Sequence, residues 1–218
     1  MDVMDIAKWF IKRNLDYPRD TMDGNMKLQK LLYFSQLIFL AKFDKKLFNE
    51  PINAYKNGSV VEKVRIKYRD DHYKLITESK VFEETFDENI NYTLSVVEDV
   101  FGKISAKELS DLNHLHEGWR QAYEYSKGSN DFHHKSLSEI SFETVKEFDL
   151  ESVRKVLDAH TSTKTSTKSF EVINGITFYF DPNEIQLTPE IIEELESFYG
   201  EDSAYTLHMD EEDGLTVY

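Results

Sequence analysis

The segment Met26–Ala41 most constrains the fold of this chain, because its apolar side chains occupy nearly the whole helical wheel. A helix that is apolar on almost every side is buried at the centre of a fold, since a surface helix keeps one polar face. Its polar residues follow one narrow seam, in which Lys27 and Lys30 lie one turn apart and Gln29 and Gln36 lie two turns apart. The segment therefore predicts a central helix with a polar seam.

The two lysines of the seam allow two interpretations. The pair can bind an anion, or the two stems can lie along apolar surface while the ammonium groups stay in water. We expect the second, because it is the usual behaviour of lysine on a helix. Asn25 or Asp23 is expected to cap the start of this helix.

Length and composition indicate a soluble chain with a core and room for a small second domain. The absence of cysteine excludes disulfides and thiol chemistry and favours a cytoplasmic location. A membrane-spanning helix needs about 18 consecutive uncharged apolar residues, and no stretch of the sequence reaches that length. Asp2 and Asp5 stand where a signal peptide would carry Lys or Arg. We therefore expect a cytoplasmic protein without a membrane partner.

Acidic residues are concentrated at the end of the chain. Residues 169–218 hold thirteen Asp and Glu and no Lys or Arg, whereas residues 1–168 hold the other 28 acids and all 26 bases. Phosphate contacts need cations, so a nucleic-acid partner and a transcriptional repressor are disfavoured. The acidic end fits either a protein partner with a basic surface or a solubilising tail, and the sequence leaves both open.

The patterning predicts an α+β protein with a mainly helical N-terminal domain and a small acidic α/β module. The low-complexity segment 161–169 predicts a flexible linker between a domain at 1–160 and a module at 170–218. Ser105 and Glu108 have the spacing of a capping box at the start of a helix. In the module, Asn174-Gly175 between β-rich arms predicts a hairpin, followed by a helix from Thr188 and two strands, in the order ββαββ.

No catalytic signature is present in the sequence, and we expect neither an enzyme nor a cofactor. His114 and His116 point about 200° apart on a regular helix, so they can bind one metal only if the helix ends between them. Gly118 makes such an ending feasible, which keeps a metal-dependent hydrolase as an alternative. We favour packed or surface histidines and no metal site.

Three segments together resemble the Panacea antitoxin domain, also called the SocA-like domain, of bacterial and phage toxin–antitoxin modules. They are LQKLLYF at 28–34, LFNEPINAYKNGSVV at 47–61 and HLHEGWRQAY at 114–123. The second segment departs from the family pattern at Ser59, where the family usually has proline. The resemblance covers roughly residues 1–150 and leaves the acidic module outside it.

The resemblance implies an antitoxin that neutralises a cognate protein toxin by direct protein–protein binding. Some relatives are instead proteolytic adaptors that deliver a toxin to a AAA+ protease, and this remains the alternative role. The expected partner is thus a toxin, with a basic surface if the acidic module contacts it. Seven residues are predicted to contact the partner: Lys27, Gln29, Lys30, Tyr55, Asn57, His116 and Trp119. For Gln29 and Asn57, binding of buried backbone groups is the alternative.

Overall fold

The computed structural model describes residues 1–127, 132–165, 169–200, 202, 204–210 and 214–218. The chain divides into two compact units, Met1–Asp158 and Ala159–Tyr218. The first is mainly helical and the second contains a sheet, which confirms the predicted α+β class. Within the described residues, no helix combines the length and the apolar character that crossing a membrane requires.

The first unit is built around helix α2 (Met22–Phe43), which is buried without interruption from Lys27 to Leu40. The predicted central helix is confirmed and is longer than its apolar segment. Helices α1, α3, α5 and α6 and the strand β2 pack against it. The remaining elements of this unit are α1 (Val3–Lys12), β1 (Asn53–Tyr55), β2 (Gly58–Val60), α3 (Glu62–Asp70), α4 (His72–Lys80), α5 (Glu88–Phe101), α6 (Ala106–His114), α7 (Glu117–Ser126), a short 3₁₀ helix (Lys135–Leu137), α8 (Phe142–Thr144), a π-helical turn (Val145–Asp149) and the first part of α9 (Leu150–Thr165).

Helix capping follows local chemistry, although not always at the predicted residue. Ser105 and Glu108 form the predicted capping box at the start of α6. The predicted caps of α2 are wrong, because the side chain of Thr21 accepts the hydrogen bond from the Gly24 amide and extends the helix by a turn. The Asn25 side chain instead donates to the Arg65 carbonyl.

The predicted linker at 161–169 differs from the structure at both ends. Helix α9 continues through Thr165, and β3 begins at Ser169. Threonine and serine are only moderately unfavourable in a helix and lysine is favourable, so a helix anchored by the buried Val153 and Leu157 can extend through them. Residues 166–168 lie outside the described part of the chain.

The second unit contains a four-stranded sheet in the order β3-β4-β5-β6, with helix α10 between β4 and β5. The predicted order ββαββ is confirmed. Asn174 and Gly175 both have positive φ, as the predicted hairpin turn requires. Strands β4 and β5 are parallel and the other pairs are antiparallel. The elements are β3 (Ser169–Ile173), β4 (Ile176–Phe180), α10 (Pro189–Glu196), β5 (Ala204–Asp210) and β6 (Gly214–Val217).

Candidate binding cavity

The polar seam of α2 is buried and holds distant parts of the backbone in place. Lys27 Nζ donates to the Gly102 carbonyl at 2.8 Å, and Lys30 Nζ donates to the Ser59 carbonyl at 3.0 Å. Lys27 is 7% exposed and Lys30 is 1% exposed. The expectation that their ammonium groups stay in water is therefore wrong. The residue that follows α5 covers Lys27, and strand β2, which forms an antiparallel hairpin with β1, covers Lys30.

The two glutamines of the seam act in the same way. Gln29 Oε1 accepts from the Val61 amide at 2.8 Å, and Gln36 Oε1 accepts from the amides of Leu47 and Phe48, both at 3.1 Å. For Gln29, the alternative of a side chain that satisfies a buried backbone group is confirmed. The seam is thus the framework that fixes the hairpin beside the helix.

The β1–β2 hairpin approaches α2 closely at Gly58, which has a φ of +96°. A Cβ atom at this position would lie 2.5 Å from Cε and 2.8 Å from Nζ of Lys30, and it would also collide with Oδ1 of Asn113. That Asn113 oxygen accepts from both the amide and the hydroxyl of Ser59. Glycine at 58 therefore permits the contact that buries the Lys30 side chain.

A cavity of about 750 Å³ opens between the N-terminal half of α2, the hairpin and α3. Its lining combines apolar and aromatic residues with polar ones, and its charged residues are five cations and one carboxylate. A volume of this size is typical of small-molecule sites. The lining residues are Asp20, Thr21, Met22, Asn25, Met26, Gln29, Lys30, Tyr55, Lys56, Asn57, Val60, Arg65, Tyr68, Arg69, Tyr123, His133 and Lys135.

Lys30 is the buried cation of this cavity. Burial away from water lowers the pKa of its ammonium group to about 7, because the charged form loses its hydration. Its hydrogen bond goes to a neutral carbonyl, and no carboxylate of the described residues forms an ion pair with it. The side chain therefore carries a proton that is easily lost near neutral pH.

Three basic residues of the lining, Arg65, Arg69 and Lys135, differ from Lys30 because they have carboxylate partners. Arg65 binds both carboxylate oxygens of Glu62, at 2.6 and 2.8 Å, and Lys135 Nζ lies 3.5 Å from the same carboxylate. The Arg65 hydrogen bonds lower the pKa of Glu62 to about 2. Arg69 likewise binds the neighbouring Asp70.

The surroundings of two tyrosines of the cavity keep their hydroxyl groups protonated. Burial, with the Glu62 carboxylate nearby, raises the pKa of Tyr55 to about 12. The Tyr55 ring also meets the His133 ring edge to face at 5.2 Å. Tyr68 donates its hydroxyl to Asp16 at 2.9 Å, and burial raises its pKa. Both hydroxyls therefore stay protonated over the physiological range.

Four of the seven predicted partner-binding residues, Gln29, Lys30, Tyr55 and Asn57, line the cavity. Of these, Asn57 is exposed, Tyr55 is partly buried, and the other two are buried. The structure tests the position of these residues and not a contact with a toxin, which stays a prediction. Sequence reasoning missed the residues that α3 and the segment after α7 contribute. The sequence offers two signals for them, which are the adjacent histidines at 133 and 134, of which His133 lines the cavity, and Tyr123 at the end of the third family-like segment.

The other three predicted residues lie outside the lining of the cavity. Lys27 has its own carbonyl partner, Gly102. His116 Nδ1 lies 2.8 Å from the Tyr33 hydroxyl, and burial lowers the pKa of the imidazole. Trp119 Nε1 donates to the Tyr55 carbonyl at 3.0 Å. His116 and Trp119 thus connect α7 to α2 and to the hairpin.

Helix α6 ends at His114, so His114 and His116 do not lie on one regular helix. Their rings pack on different neighbours, with His114 against Trp119 at 4.1 Å and His116 near Tyr33 and Phe34. In the ranges that the structure describes, no group of three or more His, Asp or Glu side chains is placed to hold a metal ion.

Comparison with known proteins gives one family. No curated protein and no solved structure matches the chain. The family match runs from α2 to α7, so it is narrower than the resemblance expected over residues 1–150 and leaves the acidic unit outside it. It indicates a toxin–antitoxin role. It also confirms the resemblance seen in the sequence, because residues 28–120 match the family described as antitoxin SocA-like, Panacea domain.

Proposed function

We propose that this protein is a non-catalytic, cytoplasmic antitoxin that neutralises a cognate protein toxin by direct binding. The match of residues 28–120 to an antitoxin family carries the proposal. The buried seam of α2 supports it as well, because a rigid helical framework can present surface residues to a partner without rearranging. Two exposed surfaces, one in each unit, suit a protein partner.

The first surface is the uncovered face of the four-stranded sheet in the acidic unit. Phe170 and Tyr179 lie opposite each other on adjacent strands with ring centres 6.0 Å apart, and Val172 lies on the same face. Their exposed fractions are 61%, 39% and 54%. The other face of the sheet is filled by the core of this unit. The patch lies within residues 169–218, which hold thirteen acids and no Lys or Arg, and it therefore suits a toxin whose docking surface is apolar at its centre and basic at its rim.

The second surface is a groove beside α6, within the family-matched segment. Leu115 is 79% exposed and Leu112 is 37% exposed, and both line this groove together with Ile104. Glu108, Asp111 and Lys103 also line it, so the groove carries two carboxylates and one ammonium group. Exposed leucines next to carboxylates suit the same class of partner, a toxin surface with apolar and basic residues.

Co-expression with the neighbouring open reading frame tests the proposal directly. The neighbouring product is induced alone and then together with this protein, and the pair is purified through a tag on this chain. We expect growth arrest by the neighbour alone, rescue by this chain and a stable complex. A harmless neighbour, or rescue without a complex, would refute neutralisation by direct binding.

Matched variants of the full chain locate the docking surfaces. Val172→Lys and Leu115→Lys each place a charge in one apolar patch and are expected to weaken toxin binding by at least about tenfold. Tyr199→Lys and Val81→Lys are the controls, because both residues are highly exposed and lie outside the two surfaces. Equal binding by all four variants would refute both surfaces.

Truncation and added salt test whether the acidic unit contributes to toxin binding. Deletion of residues 169–218 is expected to weaken the complex strongly, and the affinity of the full chain is expected to fall as salt screens the charges. Unchanged binding after truncation would leave the acidic unit as a solubilising tail.

Toxin half-life distinguishes neutralisation from the alternative of an adaptor, since delivery to a AAA+ protease shortens the half-life and simple neutralisation leaves it unchanged.

A further inference from the structure

Lys30 lines the cavity, and its ammonium group has hydrogen-bonding capacity beyond its described partner. An ammonium group carries three donors, and the Lys30 hydrogen bond described in the structure goes to the Ser59 carbonyl. The side chain is 1% exposed, so bulk water does not solvate it freely. A buried charge without a counter-ion is costly, and an anion in the adjoining cavity would offset that cost.

The walls of the cavity suit a planar apolar group. Tyr55, Tyr68 and Tyr123 contribute aromatic rings, while Met26 and Val60 contribute apolar surface. Methionine and tyrosine pack well against planar rings. A cavity of about 750 Å³ has room for a ligand with a ring and a short polar group, and it is far larger than one ion needs.

The excess of basic residues in the lining indicates that the ligand is anionic. The lining contains one carboxylate, that of Asp20, and five basic residues, which are Lys30, Lys56, Arg65, Arg69 and Lys135. This excess of cations contrasts with the net charge of −15 of the whole chain. Arg65, Arg69 and Lys135 have carboxylate partners, and Lys56 is exposed to water. The buried ammonium group of Lys30 is therefore the cation of the lining that gains most from an incoming anion.

We propose that this cavity binds a small ligand that carries a planar ring and an anionic group, with the anion at Lys30 Nζ and the ring against the tyrosines. Nucleoside monophosphates and aromatic carboxylic acids share this chemistry. This inference goes beyond toxin neutralisation and does not depend on it, because it rests on the cavity of the first unit alone.

Isothermal titration of the full chain tests the proposal with two sets of probes. The first set is AMP, GMP, CMP and UMP, and the second is 4-hydroxyphenylacetate and indole-3-acetate. Adenosine and inorganic phosphate are the controls for ring and anion separately. We expect at least one set to bind, and to bind at least about tenfold more tightly than either control. Which set binds identifies the source of the anion, and absence of binding by both sets overturns the proposal.

Two neighbouring lysines provide a matched pair of variants. Lys30→Met removes the ammonium group and keeps the stem, so it is expected to weaken the bound probe by about 10- to 100-fold. Lys27→Met is the control, because Lys27 is also buried and bound to one carbonyl but does not line the cavity. Equal weakening by both changes, or none by Lys30→Met, overturns the proposal.

A third variant tests the cavity independently of the charge. Met26 is partly buried in the lining, and Met26→Trp fills part of the volume with a larger side chain. We expect Met26→Trp to abolish probe binding while the far-ultraviolet circular dichroism stays that of the wild type. Retained binding by a folded Met26→Trp protein would place the ligand elsewhere and overturn the assignment.

Discussion

Replacing Lys30 by methionine is expected to stabilise the first unit near neutral pH, although it removes a hydrogen bond. Lys30 is charged in the unfolded chain, where its pKa is 10.5, but in the native state burial lowers the pKa to about 7. The unfolded state therefore binds more protons, and the native state loses about 4–5 kcal/mol of stability at pH 6–7 from this group. Methionine avoids that loss and leaves the Ser59 carbonyl unpaired, which costs about 1–3 kcal/mol.

The net expectation at pH 6 is that Lys30→Met is about 3 kcal/mol more stable than the wild type. The sign of the pH dependence follows from the lowered pKa. The destabilisation is complete below pH 7 and disappears as the pH rises toward 10.5, because the unfolded chain then also loses its proton. The advantage of the variant should therefore shrink by about 2–3 kcal/mol between pH 6 and pH 9.

Urea unfolding followed by tryptophan fluorescence reports on the first unit, because Trp9 and Trp119 both lie within Met1–Asp158. The difference between variant and wild type cancels the titration of other groups that the two proteins share. A variant that is less stable than the wild type by the same amount at pH 6 and pH 9 would refute the reasoning. Such a result would mean that Lys30 is fully solvated or paired in its charged form.

Two further changes test the framework around the cavity by the same unfolding measurement. Gly58→Ala places a side chain at a positive φ and against Lys30 and Asn113, so we expect it to lower the free energy of unfolding by about 2–3 kcal/mol. A loss below about 0.5 kcal/mol would mean that the hairpin shifts freely. Asp149 is buried, and its carboxylate accepts from the amides of Glu117 and Gly118 at 2.7 and 2.9 Å, at the start of α7. Asp149→Asn keeps the shape and removes the charge, so we expect a loss of about 1–2 kcal/mol and would reject this role if stability were unchanged.

Local patterns in the sequence were sufficient where a short segment decides its own structure. The capping box of Ser105 and Glu108 and the turn at Asn174-Gly175 depend on residues that are neighbours along the chain, and both were predicted correctly. The extent of α9 was not, because burial of Val153 and Leu157 supports a helix beyond the point where composition suggests a linker. Predictions of partner contacts lacked a local signal altogether.

What the sequence alone determined is the central helix, the α+β class, the acidic end of the chain and the family resemblance, because each follows from periodicity, composition or a contiguous motif. Only the tertiary structure decided that Lys27 and Lys30 are buried and that Lys30 lines a cavity. The Ser59 carbonyl that meets Lys30 is 29 residues away along the chain, and His133 and Lys135 reach the same cavity from beyond α7. The environment of a side chain depends on which distant backbone folds over it, and helical periodicity carries no information about that.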